Sequence, residues 1–170
     1  MSDVSLRKLG AGDLDLLAEL VADPSTRRFT RIPEPPPDGF ERAWFAAYEA
    51  GRADGTREAF VVVADGVDVG LALAPSIERE AASAELGYLI APQARGRGHA
   101  TTALRLLSDW AFNELDLIRL ELLIGTANLA SQTVARRAGY TLEGTLRSTH
   151  LKQGIREDTQ IWSLLRSDER

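Results

Sequence analysis

The sequence predicts an α+β fold, a mostly antiparallel sheet with helices packed on its faces. Three observations carry that expectation. Apolar residues recur at helical spacing up to about residue 48, alternate or run continuously from residue 59, and return to helical spacing at about residue 100. The strand-like runs at residues 59–64, 67–74 and 83–90 are joined by short connections, one of them Asp65-Gly66, and short connections suit antiparallel neighbours. No repeat, low-complexity tract or long linker divides the 170 residues, so residues 1–170 are expected to form a single domain.

Residues 4–7 (VSLR) alternate and open the sheet as a short strand. Leu14, Leu17, Ala18 and Val21 mark a helix that Pro24 stops. Residues 29–37 (FTRIPEPPP) hold too many prolines for a regular element and form a loop. Asp38 and Glu41 have the spacing of a capping box, starting a second helix with Phe40, Trp44, Ala47 and Tyr48 on its apolar face. Strands 59–64 (AFVVVA), 67–74 and 83–90 (SAELGYLI) then form an antiparallel meander, with a loop at residues 78–82. A Gly- and Arg-rich loop at 92–99 leads into a helix over about 100–112, with Leu104, Leu107 and Ala111 inward. Strand 119–124 (RLELLI) follows, then a short helix that Gly139 terminates from the position just past its end. Two last strands, about 140–151 and 156–165, are joined by the turn Lys152-Gln153-Gly154.

Composition excludes several classes of chemistry. There is no cysteine, so disulfides, thiolate metal sites and cysteine nucleophiles are impossible. Two histidines without cysteine partners are too few for a metal centre, and none is expected. A net charge of −5 argues against a nucleic-acid partner. No apolar run reaches the ~20 residues of a membrane helix, and the first ten residues lack the apolar stretch of a secretory signal, so no membrane association and a cytoplasmic location are expected.

Residues 93–100 (QARGRGHA) carry the most chemistry. They lie between a strand and a helix, where unpaired backbone N–H groups and the positive end of the helix dipole make an anion site. Gly96 and Gly98 let the backbone approach a phosphate without a Cβ in the way, and Arg95 and Arg97 add charge. A phosphate or pyrophosphate is the expected ligand; the plain alternative is a glycine-rich turn with solvated arginines. Gly98-His99-Ala100 lacks the Lys-Ser/Thr of a P-loop, and a loop following an antiparallel meander is not a Rossmann fingerprint.

Gln93-x-x-Gly96-x-Gly98 resembles the Q/R-x-x-G-x-G/A signature of the GNAT N-acyltransferase superfamily. Glu85-Leu86-Gly87-Tyr88 in the preceding strand, Pro92 at its end and Ala100-Thr101 opening the helix extend the likeness, and the order of elements matches over nearly the whole chain. The resemblance implies a mixed, mostly antiparallel sheet with splayed middle strands and helices on both faces. It implies acetyl-CoA as co-substrate, with its pyrophosphate on the loop formed by Gln93, Arg95, Gly96, Arg97, Gly98, His99, Ala100 and Thr101. The pantetheine arm would enter between the splayed strands beside Leu89 and Ile90 and meet Asn128.

Asn128-x-x-Ser131, followed by residues 136–140 (RRAGY), is similar to the RimJ/RimL branch, which acetylates protein N-termini and some small amines. An Asn N-cap with a first-turn serine accounts for the same residues structurally. Other branches place a tyrosine acid seven residues after the Asn, where this chain has Ala135, so Ser131 becomes the candidate donor to the leaving thiolate. The acceptor is expected to be a primary amine, either a protein N-terminus or a small molecule such as a polyamine, amino acid or antibiotic. An alkylammonium must lose a proton before it attacks a thioester, and Glu85 is the candidate base. A solvent-facing place on an alternating strand explains Glu85 equally well. Glu121 is the second candidate, although an ion pair with Arg119 on the same strand face accounts for it. Backbone N–H groups near Leu89 and Ile90 would polarise the thioester carbonyl. Direct transfer in a ternary complex is expected, by a monomer or homodimer. The competing readings are a non-catalytic acyl-CoA-binding module and an ATP- or NAD-binding protein.

Overall fold

The computed structural model describes residues 3–168. Seven strands form one sheet in the order β1-β2-β3-β4-β5-β7-β6. They are β1 (Val4–Lys8), β2 (Glu58–Ala64), β3 (Val67–Glu78), β4 (Ser83–Ile90), β5 (Arg119–Gly125), β6 (Thr141–Lys152) and β7 (Ile155–Leu165). The helices are α1 (Leu14–Ala22), α2 (Pro24–Phe29), α3 (Phe40–Asp54), α4 (His99–Glu114) and α5 (Leu129–Arg137). All neighbouring strands pair antiparallel except β4 and β5, which run parallel. The expected α+β architecture is therefore present.

A continuous apolar run is what a strand covered on both faces requires, and β2 shows this directly. Phe60, Val62 and Ala64 point into a core shared with Leu104, Leu107 and Ala111 of α4 and Ala135 of α5. Ala59 and Val61 point into a second core with Leu17 and Leu20 of α1 and Phe45 and Tyr48 of α3. Helices thus cover both faces. Between β2 and β3, Asp65 (φ 51°) and Gly66 (φ 79°) take left-handed conformations, as a tight hairpin turn requires. At Gly139 (φ 94°) the chain leaves α5 in the same way.

Four local features differ from the sequence expectation. Pro24 does more than end α1: it occupies the first turn of α2, where its missing N–H costs nothing, and the Asp23 carboxylate accepts from the Thr26 N–H at 2.8 Å. Asp38 does not cap α3, which starts from Gly39 in a left-handed conformation (φ 74°) without a side-chain cap. The buried face of α3 is Phe45, Tyr48 and Gly51, whereas Ala47 is exposed. Finally, β3 continues four residues past Ala74, because a register shift between Leu73 and Ser76 absorbs Pro75, which has no N–H to give the ladder.

The far end of the sheet is held by charge. Arg119 of β5 binds Glu143 of β6 at 2.8 and 2.6 Å and Glu121 at 2.6 Å, and the Ser163 hydroxyl of β7 donates to Glu143 at 2.7 Å. Arg119, then Ser163, hold the Glu143 carboxyl at about 2, against an ordinary 4.5. A lowered folded value means that its stabilisation is present above pH 4.5 and is lost as pH falls through about 2. Glu143→Gln is therefore expected to show a shallower loss of thermal stability across that window than the wild type. Parallel acid limbs for the two proteins would show that this carboxylate is uncoupled from folding.

Candidate functional site

The β4–β5 ladder consists of three pairs, Ser83 with Arg119, Ala84 with Leu120 and Glu85 with Glu121, and then stops. Both strands continue, β4 to Ile90 and β5 to Gly125, without pairing to each other. The sheet is thus open at its middle. β4 delivers residues to the two sides of this cleft by alternation. Ala84, Leu86 and Ile90 belong to the core beneath α4, with Tyr88 packed against it, while Leu89 belongs to the core beneath α1 and α3. Glu85, in phase with Leu89, faces the α1–α3 side.

Tyr88 spans the cleft: its hydroxyl donates to the Ser131 Oγ on α5 at 3.0 Å. Burial pushes the Tyr88 hydroxyl above its ordinary value of 10.0, and the Ser131 bond offsets part of that rise. Ser131 is itself placed by Asn128, the N-cap of α5, whose Oδ1 accepts from the Ser131 N–H at 3.1 Å. Three neutral polar side chains therefore converge where the strands separate.

Strand alternation also sorts the backbone donors. The Ala91 N–H donates to Val69 of β3 at 2.9 Å, so the Leu89 N–H turns toward β3 as well. The N–H groups of Tyr88 and Ile90 point the other way, into the cleft. Of the two donors expected from sequence, only Ile90 has that direction.

The loop after β4 reaches the α4 N-terminus through Gly96 (φ 76°) and Gly98 (φ 87°). A Cβ at either position would meet nothing within 4 Å, so backbone conformation, rather than space, requires glycine there. The first intrahelical bond runs from Thr102 N–H to Gly98 O at 3.1 Å, which leaves the N–H groups of His99, Ala100 and Thr101 without intrahelical acceptors. Three such amides at the positive end of a helix dipole are the donors that an anion site there would use.

The loop side chains divide differently from the expectation. Gln93 donates to Glu19 of α1 at 2.6 Å. Arg95 is a clamp: it donates to Ile90 O at 2.9 Å, Asp23 at 2.5 Å and the Thr26 hydroxyl at 3.1 Å. Both side chains hold the loop against α1 and α2. Arg97 is exposed and has no ion pair among the described residues, so it is the loop arginine left to face an anion. His99 is neither exposed nor on the loop surface; it is 5% exposed, and neither ring nitrogen has a hydrogen-bond partner among the described residues.

Glu85 is ion-paired with Arg31, at 2.9 Å to Oε1 and 3.1 Å to Oε2. Glu121, its ladder neighbour, is held by Arg119 in the ion pair the sequence suggests. Arg31 lies in the proline-rich loop and also lines a cavity of about 310 Å³ between that loop and the far end of β6. Ile32, Glu34, His150, Lys152 and Gln153 share its lining. Trp44 and Tyr48, expected on the apolar face of α3, pack together at 4.1 Å on its sheet side.

Two parts of the site have only a weak sequence signal. The phase of Tyr88 with Leu86 and Ile90 gives its face of the strand, but its contact with Ser131, 43 residues away, needs the strand order. The cavity joins residues near 31 and 152, which nothing in the sequence pairs.

Comparison with known proteins shows the family and the fold. A family model described as an acetyltransferase (GNAT) domain matches residues 3–141. The spermidine N(1)-acetyltransferase of Escherichia coli (strain K12) is 31% identical over 84% of this chain and 75% of that protein. The probable N-acetyltransferase YjcK of Bacillus subtilis (strain 168) is 37% identical over 51% of this chain, a match spanning only 48% of YjcK. Among solved structures, the RimL ribosomal L7/L12 α-N-protein acetyltransferase in complex with coenzyme A superposes with a TM-score of 0.88. It is 20% identical and covers 95% of this chain and 93% of that one.

Proposed function

We infer, from the premise that this chain belongs to the GNAT acetyltransferase family, that it transfers the acetyl group of acetyl-CoA to a primary amine. The observation that carries this reading is the open middle of the sheet, with the unpaired amides of α4 at its edge and Tyr88, Asn128 and Ser131 within it. Residues 1–170 act as one acyltransferase domain.

Each role follows from which side of the sheet a residue faces. The phosphates of acetyl-CoA take the N–H groups of His99, Ala100 and Thr101, with Arg97 adding charge. Its thioester lies in the cleft, where the Ile90 N–H stabilises the oxyanion and the Ser131 hydroxyl donates to the departing sulfur. The acceptor approaches from the α1–α3 side, where Glu85, directly or through water, takes the ammonium proton. Two opposite approaches to one opening suit direct transfer in a ternary complex. With no cysteine in the chain, an acyl-cysteine intermediate is impossible. Protein N-terminal amines, as in the RimJ/RimL branch, are the favoured acceptors, because Ser131 is present and Ala135 stands where other branches have a tyrosine.

Acetyl-CoA and CoA should raise the unfolding temperature where equal concentrations of ATP and NAD do not. At ~100 times its Kd, a ligand of the native state adds about 2.7 kcal/mol. Glu85→Gln is expected to leave that shift unchanged and lower kcat/KM about tenfold near neutral pH, because an amide cannot take the ammonium proton. The defect should shrink as pH rises and the amine deprotonates unaided. A defect independent of pH would remove Glu85 as the base, and ping-pong kinetics would rule out direct transfer.

A further inference from the structure

We propose that the acceptor amine carries a carboxylate on the same molecule, and that Lys152, with Arg31, receives that carboxylate in the cavity between the proline-rich loop and β6. The proposal rests on the acetyl-transfer reading and specifies which amines that site takes.

The charges around the cavity support it. Three carboxylates are nearby, and each already has an arginine: Glu34 pairs with Arg27 at 3.3 Å, Glu85 with Arg31 at 2.9 Å, and Glu157 with Arg28 at 2.5 Å. Lys152 is the fourth cation, and among the described residues it has no carboxylate partner. Its ammonium donates to the Ile32 carbonyl. The charged groups lining the cavity are Arg31 and Lys152 against Glu34, and Arg27, Arg28, Glu85 and Glu157 belong to the ion pairs that flank it. With these counted, four cations stand against three carboxylates, a surplus of one positive charge in a chain whose net charge is −5. His150, also in the lining, has its Nε2 buried without a hydrogen-bond partner among the described residues.

Burial and the nearby arginines hold the Lys152 ammonium below its ordinary value, against the pull of Glu34. A cation in that position gains from an incoming anion, which replaces lost hydration with a charge-assisted hydrogen bond. A polyamine would bring further positive charge to a site with no unpaired carboxylate, and like charges at close range are unfavourable. Arg31 connects the two ends of the acceptor, since it lines the cavity and contacts Glu85. An acceptor with its amine at Glu85 and its carboxylate toward Lys152 satisfies both.

Free amino acids and peptides with an acidic residue near the N-terminus share this chemistry, and two matched pairs separate them. Thiol release from acetyl-CoA is followed with glycine against glycinamide, with Ser-Glu-Ala amide against Ser-Gln-Ala amide, and with spermidine. In at least one pair the carboxylate member should exceed its neutral counterpart about tenfold in kcat/KM, the scale of one hydrogen bond to a charged group. The pair that responds identifies the source. Lys152→Gln should abolish that advantage and leave the neutral counterpart and the acetyl-CoA thermal shift unchanged. Should Lys152→Gln not fold, the wild-type ratios and Lys152→Arg, which should keep the preference, decide. Equal rates within both pairs, a preference for spermidine, or an unchanged ratio in Lys152→Gln would overturn the proposal. Loss of the acetyl-transfer reading looks different: no acetyl-CoA thermal shift and no thiol release with any amine.

Discussion

Replacing Ser131 with alanine should lower kcat about 10²-fold while the acetyl-CoA KM stays within about threefold, the pattern of a group that acts mainly in the transition state. The substitution is unusually clean. The bond that caps α5 uses the Ser131 backbone N–H, which alanine retains, so the helix start is preserved. What is lost is the hydroxyl, and with it the acceptor for the Tyr88 O–H at 3.0 Å. Leaving that half-buried phenol without a partner costs about 1 kcal/mol of stability, too little to unfold the protein. Tyr88→Phe separates the two contributions, because it frees Ser131 and removes no candidate donor to the sulfur. Steady-state kinetics with acetyl-CoA varied at saturating amine provides the measurement. Equal losses in kcat and KM would reduce Ser131 to a binding residue, and an unchanged kcat would remove it from the chemistry.

The second large effect is expected at a glycine outside the motif. Gly70 of β3 lies against β4 so closely that a Cβ there would sit 2.1 Å from the Leu89 carbonyl oxygen and 3.1 Å from the Ile90 Cα. Both are backbone atoms, so a rotamer change cannot relieve the contact and the strand must move. Overpacking of this kind typically costs 1–3 kcal/mol, which corresponds to roughly 3–8 °C in Tm for a chain of this size. The displaced segment contains the Ile90 N–H, the donor that faces the cleft. A shift near 1 Å at such a group can cost about 10²-fold in rate. Gly70→Ala is therefore expected to lower kcat well below its Tm as well as lowering Tm. Gly87→Ala is the control: on the neighbouring strand, a Cβ there meets nothing within 4 Å. If Gly70→Ala loses stability but keeps its kcat, the Ile90 amide is not a catalytic donor.

Most of the architecture was legible in the sequence, because each element's burial is written in its period. The wholly apolar AFVVVA run could only be a strand covered on both faces, and Leu104, Leu107 and Ala111 could only face inward from a helix. Asp65-Gly66 and Gly139 announced their turns through backbone conformations that other residues resist. Local signals failed where a tertiary contact outweighed them. Asp38 had the right spacing for a cap, yet Gly39 starts α3, and Pro24 looked like a stop although Asp23 makes it a beginning.

The candidate site divides along the same line. Glu85, Ser131, Asn128 and the glycine-arginine loop could be singled out as candidates from the sequence, through local spacing and through the resemblance to GNAT proteins. What each group faces depends on how distant segments pack. Arg95 is a clamp and Arg97 remains available because α1 and α2 fold back against the loop. Tyr88 meets Ser131, and Lys152 meets the proline-rich loop, because the sheet order places β7 and β6 beyond β5 and leaves the middle open. The physical reason is range. Periodicity and capping act within a few residues, whereas charge pairing and cleft geometry depend on segments more than 40 and 100 residues apart, as the separations of 43 and 120 for these two contacts show.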